Sequence, residues 1–284
     1  MTTLPFVSVI ISTFNRSDAL ISVLEGLALQ TDAHFEVIIA DDGSRTEHLN
    51  AVLNSSWARL LKVTHVWHPD IGFTLSRIRN RGVAASRGEY IVFIDGDCIP
   101  ARDFIARQRG LAQRGFFVNG SRVLLSNSLS CRIIQGQEKI AGRRTLYWLK
   151  QRILGGANKW GGSLRLPDLS IRVHRGTPWV GVRGGNMSVW RQDFEHVDGF
   201  DESFVGWGHE DADFVLRLTH AGIRRKNGFL ATEVFHLWHK EAARSQASLN
   251  ATTVLERVQT NITRSTLGYS QKRPNDDVVI TRLG

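Results

Sequence analysis

Four short apolar runs, separated by amphipathic stretches, leave little choice of fold for the first hundred residues. The runs are "FVSVIIST" (6–13), "FEVIIADD" (35–42), "LKVTHVWH" (61–68) and "EYIVFIDGD" (89–97), each the length of one buried strand. Between the first two lies "ALISVLEGLALQ", with apolar residues at 20, 21, 24 and 27, and with Ser17 or Asp18 placed to cap a helix. A second helix is predicted near 45–60, and a third in "TLSRIRNRGVAASRG", ending near Gly88. Strand and helix alternating in this way imply parallel βαβ units with right-handed crossovers and helices on both faces.

Such sheets bind ligands at the carboxyl ends of their strands. Ser12-Thr13, Asp41-Asp42, His68-Pro69-Asp70 and Asp95-Gly96-Asp97 each follow one of the four runs, so four polar ends are predicted to converge on one rim. Asp95 and Asp97 pose the sharpest question. Two carboxylates one residue apart at the end of a buried strand are costly unless a cation or hydrogen-bond donors compensate them. They call for a metal, arginines or a ligand. Asp-Gly is also ordinary turn chemistry, and the pair alone leaves a site and a solvated turn about level.

The rest of the chain narrows the classes. With 42% hydrophobic and 22% charged residues, it has the balance of a globular protein. No apolar stretch reaches the ~20 residues of a membrane span. Cys98 and Cys131 form no metal or redox spacing, and two lone thiols suggest a reducing compartment. The start lacks a basic segment before its apolar run, so no secretory signal is expected and a cytoplasmic location is. The 36 basic residues against 27 acidic give +9, with arginine clustered at 77–87, 102–114, 143–152 and 165–191. Arginine forks fit phosphate oxygens, and a generally basic surface is the competing account. Zinc-finger spacing and aromatic-rich RNA motifs are absent from the sequence, so nucleic acid is not an expected partner.

Past residue 120 the pattern changes. Residues 126–178 are polar, basic and glycine-rich, with "RRTLYWLKQRILGG" as an amphipathic helix that could rest on an anionic membrane through Leu146, Trp148 and Leu149. A helix is predicted from Asp211 to His220, with Glu210, Asp211 and Asp213 crowding its start, where acids are favourable. The chain from about 265 looks loosely structured.

"VSVIISTFNR", "FEVIIADDGS" and "GFTLSRIRNRGVAASRGEYIVFIDGDCIP" together resemble the nucleotide-binding half of family 2 glycosyltransferases with the GT-A fold. "GGNMSVWR", "VDGFDESFVGWGHEDADFVLRL" and "VFHLWH" resemble the acceptor half shared with chondroitin polymerases and β-1,4-galactosyltransferases. The resemblance implies an α/β GT-A fold: a Rossmann-like, mainly parallel sheet with helices on both faces, plus a mixed acceptor-binding half. It divides the chain into a nucleotide-sugar half (1–120), an acceptor and catalytic half of the same domain (121–240) and a helical or loose tail (241–284).

Carried onto single positions, the resemblance implies that Ser12 and Asp42 touch the nucleoside of a UDP-sugar. Asp95 would face the ribose or donor sugar, and Asp97 and His236 would ligate Mn²⁺ or Mg²⁺. His239 is the alternative to His236, because its spacing fits one helical face. Asp211 would be the catalytic base, with Glu210 beside it and Trp207 stacking on a sugar. Gly185 would let backbone approach the donor, and Asn186 would bond a hydroxyl. Arg77 and Arg79 cannot share a helix face, so one is expected at the diphosphate and the other at the surface, with Arg77 favoured. The implied activity is inverting transfer from UDP-galactose, UDP-N-acetylgalactosamine, UDP-N-acetylglucosamine or UDP-glucuronate to a glycan or lipid-linked saccharide. Bacterial surface polysaccharide or lipopolysaccharide assembly is the implied setting. A nucleotidyltransferase on a similar sheet is the rival enzyme class; it expects a glycine-rich loop after the first strand, and "STFNRSD" has no glycine.

Overall fold

The structure, a computed structural model, describes residues 4–162, 164–240, 247–271 and 277–283. Strands β1 (Val7–Thr13), β2 (Phe35–Asp41), β3 (Thr64–Trp67) and β4 (Tyr90–Asp95) pair in parallel in the order β3-β2-β1-β4. Alternate residues of β1 serve opposite faces, as an extended chain requires. Val7, Val9 and Ile11 pack with Leu20 and Leu24 of helix α1 (Ser17–Ala28), whereas Ile10 packs with Ile78 and Val83 of a helix on the other face. Each such side chain, wholly buried, contributes roughly 1.5–3 kcal/mol.

The connecting helices differ from expectation in detail. The single helix near 45–60 is two, α2 (Thr46–Leu53) and α3 (Ser56–Leu60), because Ser55 breaks the run and its Oγ accepts from the Ala58 amide at 3.2 Å. Neither Ser17 nor Asp18 caps α1; Ser17 Oγ lies 3.0 Å from His48 Nδ1 and Asp18 pairs with Arg16. Helix α4 (Leu75–Ala84) precedes β4 as predicted.

The second half completes the same sheet rather than forming its own. β8 (Asn186–Trp190) adds antiparallel to β4, β6 (Phe116–Asn119) antiparallel to β8, and β9 (Arg224–Asn227) parallel to β6. A three-stranded sheet, β5 (Cys98–Pro100), β10 (Glu233–His236) and β7 (Ser121–Leu124), stands beside it. Helices α5 (Phe104–Leu111), α6 (Asn127–Ile134), α7 (Thr145–Ile153), α8 (Arg191–His196), α9 (Glu210–His220) and α10 (Ala247–Val258) complete the described helices.

Two expectations are corrected here. Trp148 does not share an outer face with Leu146 and Leu149; it is fully buried and stacks on Phe235 at 4.1 Å between ring centroids. The end of the chain is not uniformly loose: β11 (Val279–Arg282) pairs antiparallel with β3 and covers that sheet edge. Residues 241–246, 272–276 and 284 of the expected tail lie outside the described residues.

Candidate active site

Register brings the strand ends level, since Ser12 stands opposite Asp95 and Thr13 opposite Asp41. One arginine organises the rim. Arg79 donates from Nε to Ser12 Oγ at 3.1 Å and from Nη2 to Asp95 Oδ1 at 3.1 Å, and its Nη1 lies 3.5 Å from Glu210 Oε1. It therefore ties the ends of β1 and β4 to the start of α9. Neither Arg77 nor Arg79 faces the surface, contrary to expectation; both are buried. The 198–202 segment packs beside α4, where Asn80 exchanges hydrogen bonds with both backbone groups of Phe200, and Arg79 lies over the Phe200 ring, which meets Phe93 of β4 edge-on at 5.2 Å. Arg79, not Arg77, meets Asp95. Arg77 acts electrostatically on His68.

Asp97 sits two residues on, on the second sheet's side. Pairing of β10 with β5 places His236 opposite Cys98, which brings His236 Nε2 to 3.6 Å from Asp97 Oδ1. His239 Nε2 reaches 3.3 Å from Asp97 Oδ2, and its Nδ1 donates to the Lys240 carbonyl. The two histidines share no helix face, because β10 ends at His236 and the following residues turn irregularly. Both converge on Asp97 through that turn. Cys98 also lies within the cluster, but burial, then Asp97 and Asp95, hold its thiol well above its ordinary value. Burial, reinforced by Asp95, also keeps Asp97 above the usual carboxylate range, despite His236 and His239. Burial holds His236 below its ordinary value, in the neutral form that ligates metals. One carboxylate facing two imidazoles is a donor set that fits a divalent cation.

The second acid pair opens α9. Asp211 is half-buried, with Oδ2 accepting from the Gly184 amide at 2.9 Å and Oδ1 from the Ala212 amide at 2.8 Å. Glu210 is buried behind it against Arg79. Asp213 is no cap; it lies fully buried between Arg217 at 2.8 Å and Arg257 of α10 at 2.6 Å. Burial, and then the charge of Asp211, push Glu210 up to about 7. A carboxyl raised in the folded state favours folding while protonated. Its contribution, on the order of 3 kcal/mol, is therefore present below its ordinary value near 4.5 and lost as pH rises through about 7. Glu210→Gln is expected to flatten the fall in melting temperature between pH 5 and 8; an unchanged slope would remove Glu210 as its source.

The remaining predicted residues divide. Asp42 is buried, accepting from the Thr74 amide at 2.8 Å and Thr74 Oγ1 at 2.6 Å, with His68 Nε2 at 3.2 Å. Burial opposes a charged His68 ring, but Asp42 and the Pro69 carbonyl outweigh it and hold His68 above its ordinary value. Gly185 is required by Asp95, because a Cβ there would stand 1.9 Å from Asp95 Oδ2. Asn186 does not face the site. Fully buried, it donates to the Ser121 and Thr232 carbonyls at 3.0 and 2.6 Å and accepts from Gln108, so its amide joins the two sheets and has no group left for a sugar. Trp207 is partly exposed in the 203–209 loop, which α10 supports through Asn250 donating to the Gly208 carbonyl at 2.9 Å. Sequence reading missed this support, and it carried no signal for Arg122, whose Nη1 lies 4.0 Å from Asp95 Oδ2.

Residues 8–152 match the family described as glycosyl transferase family 2. The chain belongs to this family. Residues 170–242 match a second family, the N-terminal domain of galactosyltransferase. The validoxylamine A glucosyltransferase of Streptomyces hygroscopicus is 31% identical over 235 residues, covering 77% of this chain and 52% of that protein. Chondroitin synthase of Escherichia coli is 26% identical over 236 residues, 76% of this chain and 32% of that one. The chain thus spans about half, or less, of the length of these curated relatives. The mannosyltransferase PcManGT from Pyrobaculum calidifontis, solved with GDP-Man and Mn²⁺, superposes with a TM-score of 0.56 at 19% identity. That likeness covers 89% of this chain and 63% of the other. The fold of this family 2 member is GT-A.

Proposed function

We propose that this family 2 member is an inverting, metal-dependent transferase that moves a sugar from a UDP-sugar to a hydroxyl of a glycan or lipid-linked saccharide. The observation that carries the reading is Arg79, bridging Asp95 and Glu210, because it holds the nucleotide-side acids and the catalytic-side acids on one rim. Ser12, Asp42, Arg79 and Asp95 take the nucleoside and diphosphate side. Asp97, His236 and His239 hold the cation, which neutralises diphosphate charge when bound; oxygen and nitrogen donors together favour Mn²⁺ over Mg²⁺.

Asp211 is the base. It is the more accessible carboxylate of its pair, and Gly184 and Ala212 fix its orientation, whereas Glu210 is buried against Arg79. One base, and no positioned covalent nucleophile among the described residues, imply direct displacement, hence inversion. Relatives that make chondroitin and O-antigen support bacterial surface polysaccharide assembly as the setting. Metal-dependent hydrolysis across UDP-galactose, UDP-N-acetylgalactosamine, UDP-N-acetylglucosamine and UDP-glucuronate tests the donor without an acceptor. Hydrolysis of none, with or without Mn²⁺, would remove the UDP-sugar reading.

Among the described residues, no helix is long and apolar enough to cross a membrane. Peripheral contact is the form a lipid-linked acceptor calls for, and α7 is suited to it. Leu146, Leu149, Ile153 and Leu154 are exposed beside exposed Arg144, Lys150 and Arg152. Co-sedimentation with anionic but not neutral phospholipid vesicles is expected, and Leu146→Ser with Ile153→Ser is expected to abolish it. Equal binding by that variant would exclude α7.

A further inference from the structure

A cavity of about 540 Å³ continues the rim past Asp95 on the side away from Ser12 and Asp42. Because β6 runs parallel to β4 and β9 parallel to β6, Asn119 and Asn227 end their strands on the edge where Asp95 ends β4. Across β8, the spacing of neighbouring strands puts β6 roughly 10 Å from β4. That is about the width of one sugar ring beyond the donor acids.

The walls have an uneven charge. Arg122, Lys159, Arg172, Arg183 and Arg225 line the cavity, and no aspartate or glutamate does. Charges so placed usually have carboxylate partners, because an unpaired cation loses solvation for nothing. Here the acids stand off: Asp168 and Glu233 act on Arg172, and Glu233 on Lys159, through their charge, without lining the cavity. Arg225 is more than nine-tenths buried; it donates to the Pro178 and Val180 carbonyls and to Asn119 Oδ1, and its Nε has no hydrogen-bond partner. Burial alone pulls its guanidinium below the ordinary arginine range. Arg183 is exposed and its one hydrogen bond is a long one to the Val182 carbonyl, while Lys159 donates to Ser121 Oγ. Among the described residues, only Arg122 of the five approaches an acid within 4.0 Å, and that acid is Asp95 at the cavity mouth. Phe229 and Ile171 add exposed apolar surface to the wall.

We propose that this cavity binds an anionic group of the acceptor, a sugar carboxylate or a phosphodiester, and so selects acidic glycans over neutral ones. The proposal rests on the transferase reading and names the acceptor class for it. Two cations on opposite chain segments, Lys159 and Arg183, grip the anion from the solvent side. Arg225 supplies the fixed positive field beneath them, Arg122 marks the boundary with the donor, and the apolar wall takes a face of the ring. An acidic acceptor would supply the counter-charge that the fold withholds.

The test uses the full chain saturated with UDP and Mn²⁺, titrated by ligand-observed NMR with methyl glucuronide, glycerol phosphate or methyl glucoside. Expected is binding of at least one anionic probe about tenfold tighter than the neutral glucoside, weakening as salt rises. A preference for glucuronide identifies a uronate acceptor, and one for glycerol phosphate a phosphate-bearing acceptor. In the double variant Lys159→Gln with Arg183→Gln, the preference is expected to fall by about tenfold with unchanged melting temperature, and Arg183→Lys is expected to recover part of it. Equal affinity for charged and neutral probes, or competition between the anion and UDP, overturns the assignment. Failure of UDP itself to bind overturns the transferase reading and this one together; UDP binding without anion preference overturns only this one.

Discussion

Asp211→Asn is expected to cut sugar transfer by about 10²-fold or more while UDP affinity stays within a few-fold of wild type. The Asp211 carboxylate bonds the Gly184 and Ala212 amides and belongs to no part of the Asp97–histidine cluster, so donor affinity should survive the change. Asparagine keeps the volume but not the chemistry. Its oxygen can accept from the Gly184 or the Ala212 amide, not both, and its NH2 cannot take a proton from an acceptor hydroxyl. One amide left facing another donor costs about 1–3 kcal/mol, so the melting temperature should drop a little. Glu210→Gln separates the two acids. Glu210 is buried against Arg79 and less open to an acceptor hydroxyl, so its amide variant should retain most of the rate. Rates and UDP affinities for both variants decide the matter. A normal rate in a folded Asp211→Asn enzyme would transfer the role to Glu210.

Chelation is expected to abolish measurable UDP binding, and Asp97→Ala to reproduce that loss in the presence of Mn²⁺. Among the described residues, Asp97 is the carboxylate that pairs with both His236 and His239, so it supplies the negative charge that a dication needs. Either histidine alone should matter less. His236→Ala and His239→Ala each leave one imidazole on Asp97, and their double variant should approach Asp97→Ala. Without metal, Asp97→Ala should not lower the melting temperature much, since burial already disfavours that carboxylate. Calorimetric titration of UDP with Mn²⁺ and with excess chelator reads every arm. Full UDP affinity in chelator would refute the cation site.

How much of this was legible in the sequence depends on the range of the interaction. The parallel core was legible because strand and helix periodicities are local, and a buried strand must show its apolar run wherever it lies. The acids at the strand ends were legible for the same reason: the sheet direction follows from βαβ chirality, and the rim follows from the direction. Asp95 and Asp97 could thus be named before any contact was known, whereas Asp211, in the first turn of a helix, was named by the family resemblance, which also lent all three their roles.

What only the tertiary structure decided involves partners far apart in the chain. Helical spacing puts Arg77 and Arg79 on different faces without saying which face meets the acids; the fold lays Phe200 against Arg79 and turns it toward Asp95 and Glu210. Asn186 follows two glycines like a ligand-facing residue, yet Ser121 and Thr232 saturate it, and nothing near it in sequence announces either. His236 and His239 suggested one helix face, but a strand end followed by an irregular turn brings both to Asp97. The basic cavity is assembled from Arg122, Lys159, Arg183 and Arg225, which four separate chain segments deliver to one place. Side-chain periodicity is set by neighbours a few residues away, so composition and spacing record it. The electrostatic fate of a polar side chain is set by whichever distant segment packs over it, and only the folded chain records that.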